Sequence, residues 1–428
     1  MSEKIRPEEP AAEAASRRVR SLDVLRGVAI VGTLLSNIWT FTAVSADAPL
    51  YILGETTESY VEPLANIVAN GKFLALLSIL FGVGMAIQFD SAVRHGRRWP
   101  WRYEWRSLLL LVDGFIHFAL VVDFDVLMGY ALVAMVVAPL LLLRTRWLVA
   151  ATVLAGAVHL TMEFRRLLAE LSLSASWQVE EMEGDEGGSW DEAGDLAFDS
   201  MPTSYFDDVA YRMSNFWELR QDVFVLAPPL WAFLFLCGAL LWRAGLFKGD
   251  ARAHALSRRL AVGGLAVGFP LSAWAYLSLP GQTHLVYLFR YTTAPIVAFG
   301  YLGLILILLR RRGGGSGFFS RRLADVGRTA LSCYMLQNVI AIAAFAEWGF
   351  GLGPFGPLGT VLAWAVISAL LMLFAWWWLR HFRHGPFERV WRWAVDAPFR
   401  RADQRRRERR NEDTKQKGTR NGSAAGAS

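Results

Sequence analysis

The sequence predicts an all-α fold, a polytopic transmembrane helical bundle of about ten spans, with the N- and C-termini both cytoplasmic. Of the 428 residues, 54% are hydrophobic and only 19% are charged, and the mean hydropathy is +0.30. The apolar residues come in blocks of roughly 17–25, the length that crosses the hydrocarbon core as a helix. Eighteen tryptophans and eleven tyrosines fit the aromatic belts of membrane interfaces.

The spans follow from the apolar blocks in chain order. They are predicted at 22–42, 71–90, 106–122, 126–143, 147–163, 223–242, 260–279, 286–309, 329–349 and 358–380. They form a first transmembrane block at 21–163 and a second at 223–395. Three other segments complete the chain: a cytoplasmic segment at 1–20, an acidic outer loop at 164–222 and a basic tail at 396–428. The tail is expected to be disordered.

Charge sets the predicted orientation. The gaps at 43–70, 123–125, 280–285 and 350–357 contain no lysine or arginine, whereas the alternate gaps are rich in both. This asymmetry follows the positive-inside rule and places the basic gaps in the cytoplasm of a prokaryote, with the protein in its plasma membrane. The first apolar block has no cleavage site after it, so we expect it to be a retained signal anchor.

Several site classes are disfavoured by composition. Cys237 and Cys333 both lie in apolar blocks, which argues against a disulfide framework or a cysteine zinc site, and we predict no metal site. The net charge of +6 resides in short loops and the tail, so no nucleic-acid partner is expected. The acidic run in the outer loop lacks the regular ligand spacing of a calcium loop, and we expect this loop to be solvated.

The first span carries three polar residues at membrane depth. Arg26 and Asn37 are eleven residues apart, three turns plus about 20°, so both project from one face. Asp23 precedes Arg26 by one turn and can pair with it. The alternative for Asp23 and Arg26 is a capped helix start with a snorkelling arginine. Asn37 lies about 16 Å further along the helix axis, where that alternative does not apply.

The third span carries an acid–base pattern. Asp113 and His117 stand four residues apart, which stacks a carboxylate on an imidazole along one helical face. A carboxylate fixes the tautomer of a histidine, so we expect Asp113 to orient His117, with Asp125 close by. The alternative is a histidine satisfied by packing.

Further polar residues open the second and ninth spans. Lys72 begins the second span, where it either anchors the helix at the interface or binds substrate, and Gly82 and Gly84 follow for close helix contact. In the ninth span Arg328 lies near the cytoplasm, and Tyr334 and Gln337 lie deeper on one face. Residues 384–395 are predicted to form a short interfacial helix.

These stretches resemble a known family. The motifs SLDVLRGVAIVGTLLSNI, KFLALLSILFGVGM, GFIHFALVVDFDVLMGYAL, GRTALSCYMLQ and GPFERVWR occur in the order seen in the YeiB-like family, prokaryotic multipass proteins labelled a domain of unknown function. The motifs extend from residue 21 to about 392.

The first span is also remotely similar to the transmembrane acyltransferases, including the lysosomal heparan glucosaminide acetyltransferase. The sugar-modifying members show an arginine, ten residues and a histidine, and here Arg26, ten residues and Asn37 fill that pattern. This likeness implies transfer of an acyl group from cytoplasmic acyl-CoA to an acceptor on the outer face, a sugar or a lipid. Asparagine cannot take a proton at neutral pH, so the base would be His117.

Three functions follow as hypotheses. The first is an acyltransferase with His117, Asp113 and Asp125 as catalytic residues. Its expected binding residues for substrate and acyl-CoA are Asp23, Arg26, Asn37, Lys72, Arg328, Tyr334 and Gln337. The second is a transporter or lipid-handling protein, because buried charged groups also mark substrate pathways. The third is a non-catalytic membrane component. The lipid bilayer is the expected partner, and the sequence leaves open whether the chain dimerises.

Overall fold

The computed structural model describes residues 9–42, 52–183, 204–278, 283–311 and 317–400. Within these ranges the chain is helical and forms no β-strand, which confirms the predicted all-α class. Among them, seven stretches are long and apolar enough to cross a membrane: Val19–Thr42, Glu55–Arg94, Thr145–Ala169, Phe216–Arg243, Ala251–Ser278, Leu288–Arg311 and Pro357–His381.

The first half of the chain forms a series of long helices joined by short breaks. These are α1 (Glu9–Thr42), α2 (Glu55–Glu58), α3 (Val61–Ala69), α4 (Lys72–Arg94), α5 (Trp101–Leu120), α6 (Leu127–Leu140) and α7 (Thr145–Glu183). Gly71 separates α3 from α4 at φ 76°, a left-handed conformation that glycine adopts without steric cost.

The second half begins with two short helices, α8 (Tyr205–Ser214) and α9 (Phe216–Gln221). The longer helices that follow are α10 (Ala227–Arg243), α11 (Ala251–Gly263), α12 (Phe269–Ser278), α13 (Thr283–Arg311), α14 (Phe318–Arg328), α15 (Ala330–Phe345) and α16 (Pro357–His381). Two π-helical turns, Asp222–Leu226 and Gly264–Gly268, connect α9 to α10 and α11 to α12. Residues from Pro386 onward are a separate unit, in which α17 spans Pro386–Asp396.

The core lies between α1, α4, α10 and α13. Leu25, Ile79, Leu234 and Leu302, one from each helix, are all fully buried in it. In a water-soluble protein, burial of each such side chain contributes roughly 1.5–3 kcal/mol to the free energy of folding. In lipid this driving force is absent between helices, and their close packing holds them together.

Glycines set the closest crossing in this core. A Cβ at Gly82 of α4 would overlap the Phe235 carbonyl oxygen, and one at Gly238 of α10 would overlap the Ile79 carbonyl oxygen. The predicted helix-contact role of Gly82 is therefore confirmed. Gly84 instead faces Arg26, whose Nη2 would lie 3.6 Å from a Cβ built there.

The two ends of the bundle are named from α1. The proximal end is the end toward the start of α1, and α14 packs on that side against Asp23 and Gly27 of α1. The distal end is where α1 finishes, and there the rings of Phe41 and Phe124 meet with centroids 5.2 Å apart. The turn between α5 and α6, residues 121–126, therefore lies at the distal end.

Three predicted spans match helices outside the seven long apolar stretches, and two of these helices are short for a bilayer. The spans predicted at 106–122, 126–143 and 329–349 correspond to α5, α6 and α15. Helices α6 and α15 have 14 and 16 residues, fewer than the ~20 that cross a typical hydrocarbon core. The number of spans and the side on which the termini lie therefore stay predictions.

The loop expected at 164–222 is helical over much of its described part. Helix α7 continues to Glu183, and α8 and α9 occupy most of 205–221, where Phe216 of α9 packs on Phe118 of α5. Helix α1 likewise begins at Glu9, inside the segment 1–20. The acidic residues between 184 and 203 and the tail at 401–428 lie outside the described residues.

Candidate functional site

A buried histidine and aspartate form the centre of the distal site. His117 is 2% exposed on the last turn of α5, and Asp125 is fully buried in the α5–α6 turn. The His117 Nδ1 and an Asp125 carboxylate oxygen are 2.9 Å apart. With the Asp125 oxygen as the acceptor, Nδ1 is the donor and Nε2 keeps its lone pair. This tautomer is the one that a general base requires.

Asp125 is held from several directions. The same oxygen accepts the Tyr334 hydroxyl at 3.1 Å, and its other oxygen accepts the Leu127 backbone N–H at 2.8 Å. Tyr334 also packs its ring against the imidazole, with centroids 5.5 Å apart. The carboxylate therefore has a fixed direction, and the imidazole plane is fixed with it.

Asp113 does not orient His117, contrary to our expectation. Spacing of four residues does place both on one helical face, but the hydrogen bond of Nδ1 goes to Asp125 instead. Asp113 Oδ2 is buried and has no hydrogen-bond partner among the described residues. The four-residue spacing puts Asp113 and His117 on the same face of α5. The α5–α6 turn, in contrast, brings the Asp125 carboxylate within hydrogen-bond distance of His117 Nδ1.

Helix α15 faces the other side of the imidazole with a row of polar side chains. Asn338 Nδ2 lies 3.3 Å from His117 Nε2. Asn338 Oδ1 and both amide atoms of the fully buried Gln337 have no hydrogen-bond partner in the described part of the chain. Unpartnered buried amides are rare in folded proteins, so these atoms are candidates for contact with another polar molecule.

Helices α8 and α9 cover the α5–α6 turn. Arg220 is fully buried and donates to the backbone carbonyls of Asp123, at 2.6 Å, and of Asp125. Its guanidinium also lies 5.2 Å from the Phe118 ring centroid. Arg212 donates to the Val121 carbonyl at 3.1 Å. Burial raises the pKa of the Asp123 carboxyl in this turn, and the two arginines lower it by a smaller amount.

A second group of polar residues lies at the proximal end. Arg26 Nη1 is 3.4 Å from Asp23 Oδ1, as the sequence predicted, and the Arg26 side chain keeps 34% of its surface exposed. Arg106 of α5 interacts electrostatically with Arg26, and Arg328 of α14 with Asp23. Arg106 also donates to Gln88 Oε1 at 2.9 Å. Arg26 and Arg328 therefore lie near the Asp23 carboxylate, and Arg106 lies near Arg26.

Two predicted binding residues, Asn37 and Lys72, form no hydrogen bond with either group within the described ranges. Asn37 is half-buried on α1, and no hydrogen bond joins it to the His117 group in the described ranges. Lys72 is fully buried at the start of α4, where its Nζ donates to the Asn66 carbonyl at 3.0 Å. An interfacial lysine would snorkel to water, so the anchoring alternative does not describe Lys72. Across the described residues, no cluster of three metal-ligating side chains occurs.

Sequence reasoning missed Arg220, Asn338 and Arg106. Arg220 falls in a polar stretch that looks solvated, and its partners are 95 and 97 residues away along the chain. Asn338 could have been found, because it follows Gln337 and is one turn from Tyr334 on the same helix. Arg106 is the first residue of the span predicted at 106–122, and nothing in the sequence links it to Gln88 or Arg26.

Comparisons with known proteins agree with the motif resemblance. Residues 241–398 match the family model described as "Protein of unknown function (DUF418)". The chain is 27% identical to "Uncharacterized protein YxaH" of Bacillus subtilis (strain 168), over 89% of this chain and 94% of that protein. It is also 27% identical to "Uncharacterized protein YeiB" of Escherichia coli (strain K12), over 87% and 94% respectively. No solved structure is significantly similar to it.

Proposed function

We propose that this chain, a member of the YeiB-like family of multi-pass membrane proteins, is an acyltransferase embedded in the plasma membrane of a prokaryote. One observation carries the proposal: Asp125 holds His117 so that Nε2 faces the unpartnered amides of α15. A histidine fixed in this tautomer is suited to remove a proton from a hydroxyl group. The acceptor is a sugar or lipid hydroxyl that replaces Asn338 at Nε2.

The reaction balances without another reagent. His117 Nε2 takes the hydroxyl proton as the acceptor oxygen attacks the thioester carbonyl of acyl-CoA. The carbon–sulfur bond breaks, an oxygen ester forms, and the proton passes from Nε2 to the departing CoA thiolate. Asp125 stabilises the imidazolium between these steps. The amides of Gln337 and Asn338 are positioned to donate to the developing oxyanion, the role that we also assign to Asn37.

The proximal arginines supply the donor site. Asp23 offsets only part of the positive charge of Arg26, Arg106 and Arg328, so the group attracts the phosphates of CoA. If the proximal end is cytoplasmic, as the charge distribution predicts, acyl-CoA binds from the cytoplasm. The pantetheine arm of acyl-CoA then runs along α1, past Tyr334 and Gln337, and brings the thioester to His117.

The test is acyl transfer by the purified full-length protein. The protein in nanodiscs is given radiolabelled acetyl-CoA and an envelope extract of sugars and lipids, and label transfer is followed together with CoA release. We expect His117→Ala to lower transfer by about 10²–10⁴-fold, the usual contribution of a general base. Arg26→Ala should weaken acetyl-CoA binding, with the loss growing smaller at high salt.

His95→Ala is the matched control, because His95 is exposed at the end of α4 and bonds only to the Ser91 carbonyl of its own helix. It should transfer label at the wild-type rate. Folded wild-type protein that neither binds acetyl-CoA nor releases CoA would remove the proposal's support. Proton-driven substrate uptake without CoA release would point to a transporter.

A further inference from the structure

Lys72 lies at the centre of a third polar group, at the distal end of the bundle and separate from the His117 site. Its Nζ contacts the Asn66 carbonyl, at 3.0 Å, and the face of the Tyr276 ring, 5.3 Å from its centroid. Within the described ranges no carboxylate forms an ion pair with it, although the side chain is fully buried. An ammonium group buried without a counter-charge costs several kcal/mol.

A second cation lies next to Lys72. Arg290 of α13 packs against Gly71, where a built Cβ would meet its Cγ at 3.5 Å and its Nε at 3.8 Å. The positive charges of Lys72 and Arg290 interact unfavourably. This contact brings the guanidinium near the first turn of α4, where free backbone N–H groups also favour negative charge.

Polar side chains of neighbouring helices surround the two cations. Asn70 donates to the Tyr276 hydroxyl at 2.6 Å. On α7, His159 is 4% exposed and its Nε2 lies 3.3 Å from the carbonyl of Tyr291, the residue after Arg290. His159 Nδ1 has no partner among the described residues. Glu163, one turn further along α7, is buried as well, yet it forms no ion pair with Lys72.

We propose that Lys72 and Arg290 bind a phosphate group of a ligand that enters at the distal end. A phosphate would supply the counter-charge that the protein does not give to Lys72, and it can accept from Nζ, from the guanidinium and from the first turn of α4. His159 Nδ1 is an acceptor for a hydroxyl of the same ligand. The phosphate belongs either to a phospholipid headgroup or to a soluble phosphate compound.

The test measures phosphate binding without any acyl-CoA, so its failure is independent of the acyltransferase proposal. The full-length protein in a phosphate-free maltoside detergent is titrated with phosphatidylglycerol, inorganic phosphate or diacylglycerol, and thermal unfolding is followed. We expect phosphatidylglycerol, inorganic phosphate or both to raise the unfolding midpoint, whereas neutral diacylglycerol does not. A response to phosphatidylglycerol alone identifies a lipid as the source.

Variants assign the effect to Lys72. Lys72→Met should weaken binding at least about tenfold, the contribution of one charge-assisted hydrogen bond, and its ligand-free midpoint should equal or exceed that of the wild type. Lys72→Arg should keep the response. Arg94→Met, at the exposed opposite end of α4, should behave as the wild type. If no phosphate probe shifts the wild type beyond diacylglycerol, or Lys72→Met still responds fully, the proposal is overturned.

Discussion

The imidazole of His117 is defined by contacts on both of its nitrogens. Asp125 contacts Nδ1 at 2.9 Å and Asn338 contacts Nε2 at 3.3 Å. The sequence indicated His117, Asp125 and Tyr334 as neighbours in function, because each interrupts an apolar run. It could not indicate that Asp125, rather than Asp113, contacts the ring, since the direction of a side chain in a turn depends on the Leu127 N–H and the Tyr334 hydroxyl that hold it.

Replacement of Asp125 tests this geometry. Asp125→Asn should reduce the maximal rate of transfer by about 10²–10⁴-fold, because an amide no longer fixes the tautomer of His117 or stabilises its charge. Acetyl-CoA affinity, measured by titration, should stay unchanged, since the proximal arginines are untouched.

The matched control for this change is Asp123→Asn. Asp123 lies two residues away in the same turn, but Arg220 binds its backbone carbonyl and not its carboxylate. The control should retain most of the activity. Equal loss of activity in both variants would mean that the turn, and not the Asp125 carboxylate, is what matters.

At the scale of elements, the site depends on packing between helices that are distant in sequence. Apolar periodicity predicted α4 and α16 to within a few residues, against 71–90 and 358–380, but it missed the extensions of α1 back to Glu9 and of α7 on to Glu183. It could not predict that α8 and α9 fold over the α5–α6 turn. That packing rests on two buried arginines and on the contact of Phe118 with Phe216, at 5.3 Å between centroids. Such contacts have no local sequence pattern.

Arg220 should be the main residue that holds α8 and α9, here called the cap, on the α5–α6 turn. Arg220→Met would leave the carbonyls of Asp123 and Asp125 without their donor, and we expect it to cost roughly 3 kcal/mol of stability. The expected result is a lower midpoint of thermal unfolding together with loss of transfer. Arg165→Met on the exposed side of α7 should change neither. An unaltered midpoint for Arg220→Met would show that the cap does not depend on this residue.

The crossing of α4 and α10 should tolerate no side chain at Gly82 or Gly238. Gly82→Ala or Gly238→Ala places a methyl group against a backbone carbonyl of the other helix, so the helices must move apart at about 1–3 kcal/mol or more. Gly263→Ala is the matched control, because a Cβ at this helical glycine of α11 meets no atom within 4 Å. The three variants are compared by thermal unfolding in detergent. Similar midpoints for all three would contradict the close crossing.

At the scale of the whole molecule, two polar sites occupy opposite ends of one bundle. The arginine group at the proximal end and the His117 site toward the distal end share α1, α5 and the α14–α15 segment of the chain. Composition and charge were enough to predict a membrane bundle and the side on which the arginines gather. The third group, around Lys72, could not be foreseen, because it joins residues of α4, α7, α12 and α13.

The most direct test of acyl transfer through this bundle supplies acetyl-CoA on the proximal side, where Arg26, Arg106 and Arg328 lie, and measures the release of CoA. The protein is reconstituted in sealed proteoliposomes of known orientation, and labelled acetyl-CoA is supplied on the proximal side with acceptor extract on the other. We predict free CoA on the proximal side and labelled acceptor on the distal side for the wild type and His95→Ala, and neither product for His117→Ala. Intact acetyl-CoA with the wild type, or equal release by His117→Ala, would contradict the account.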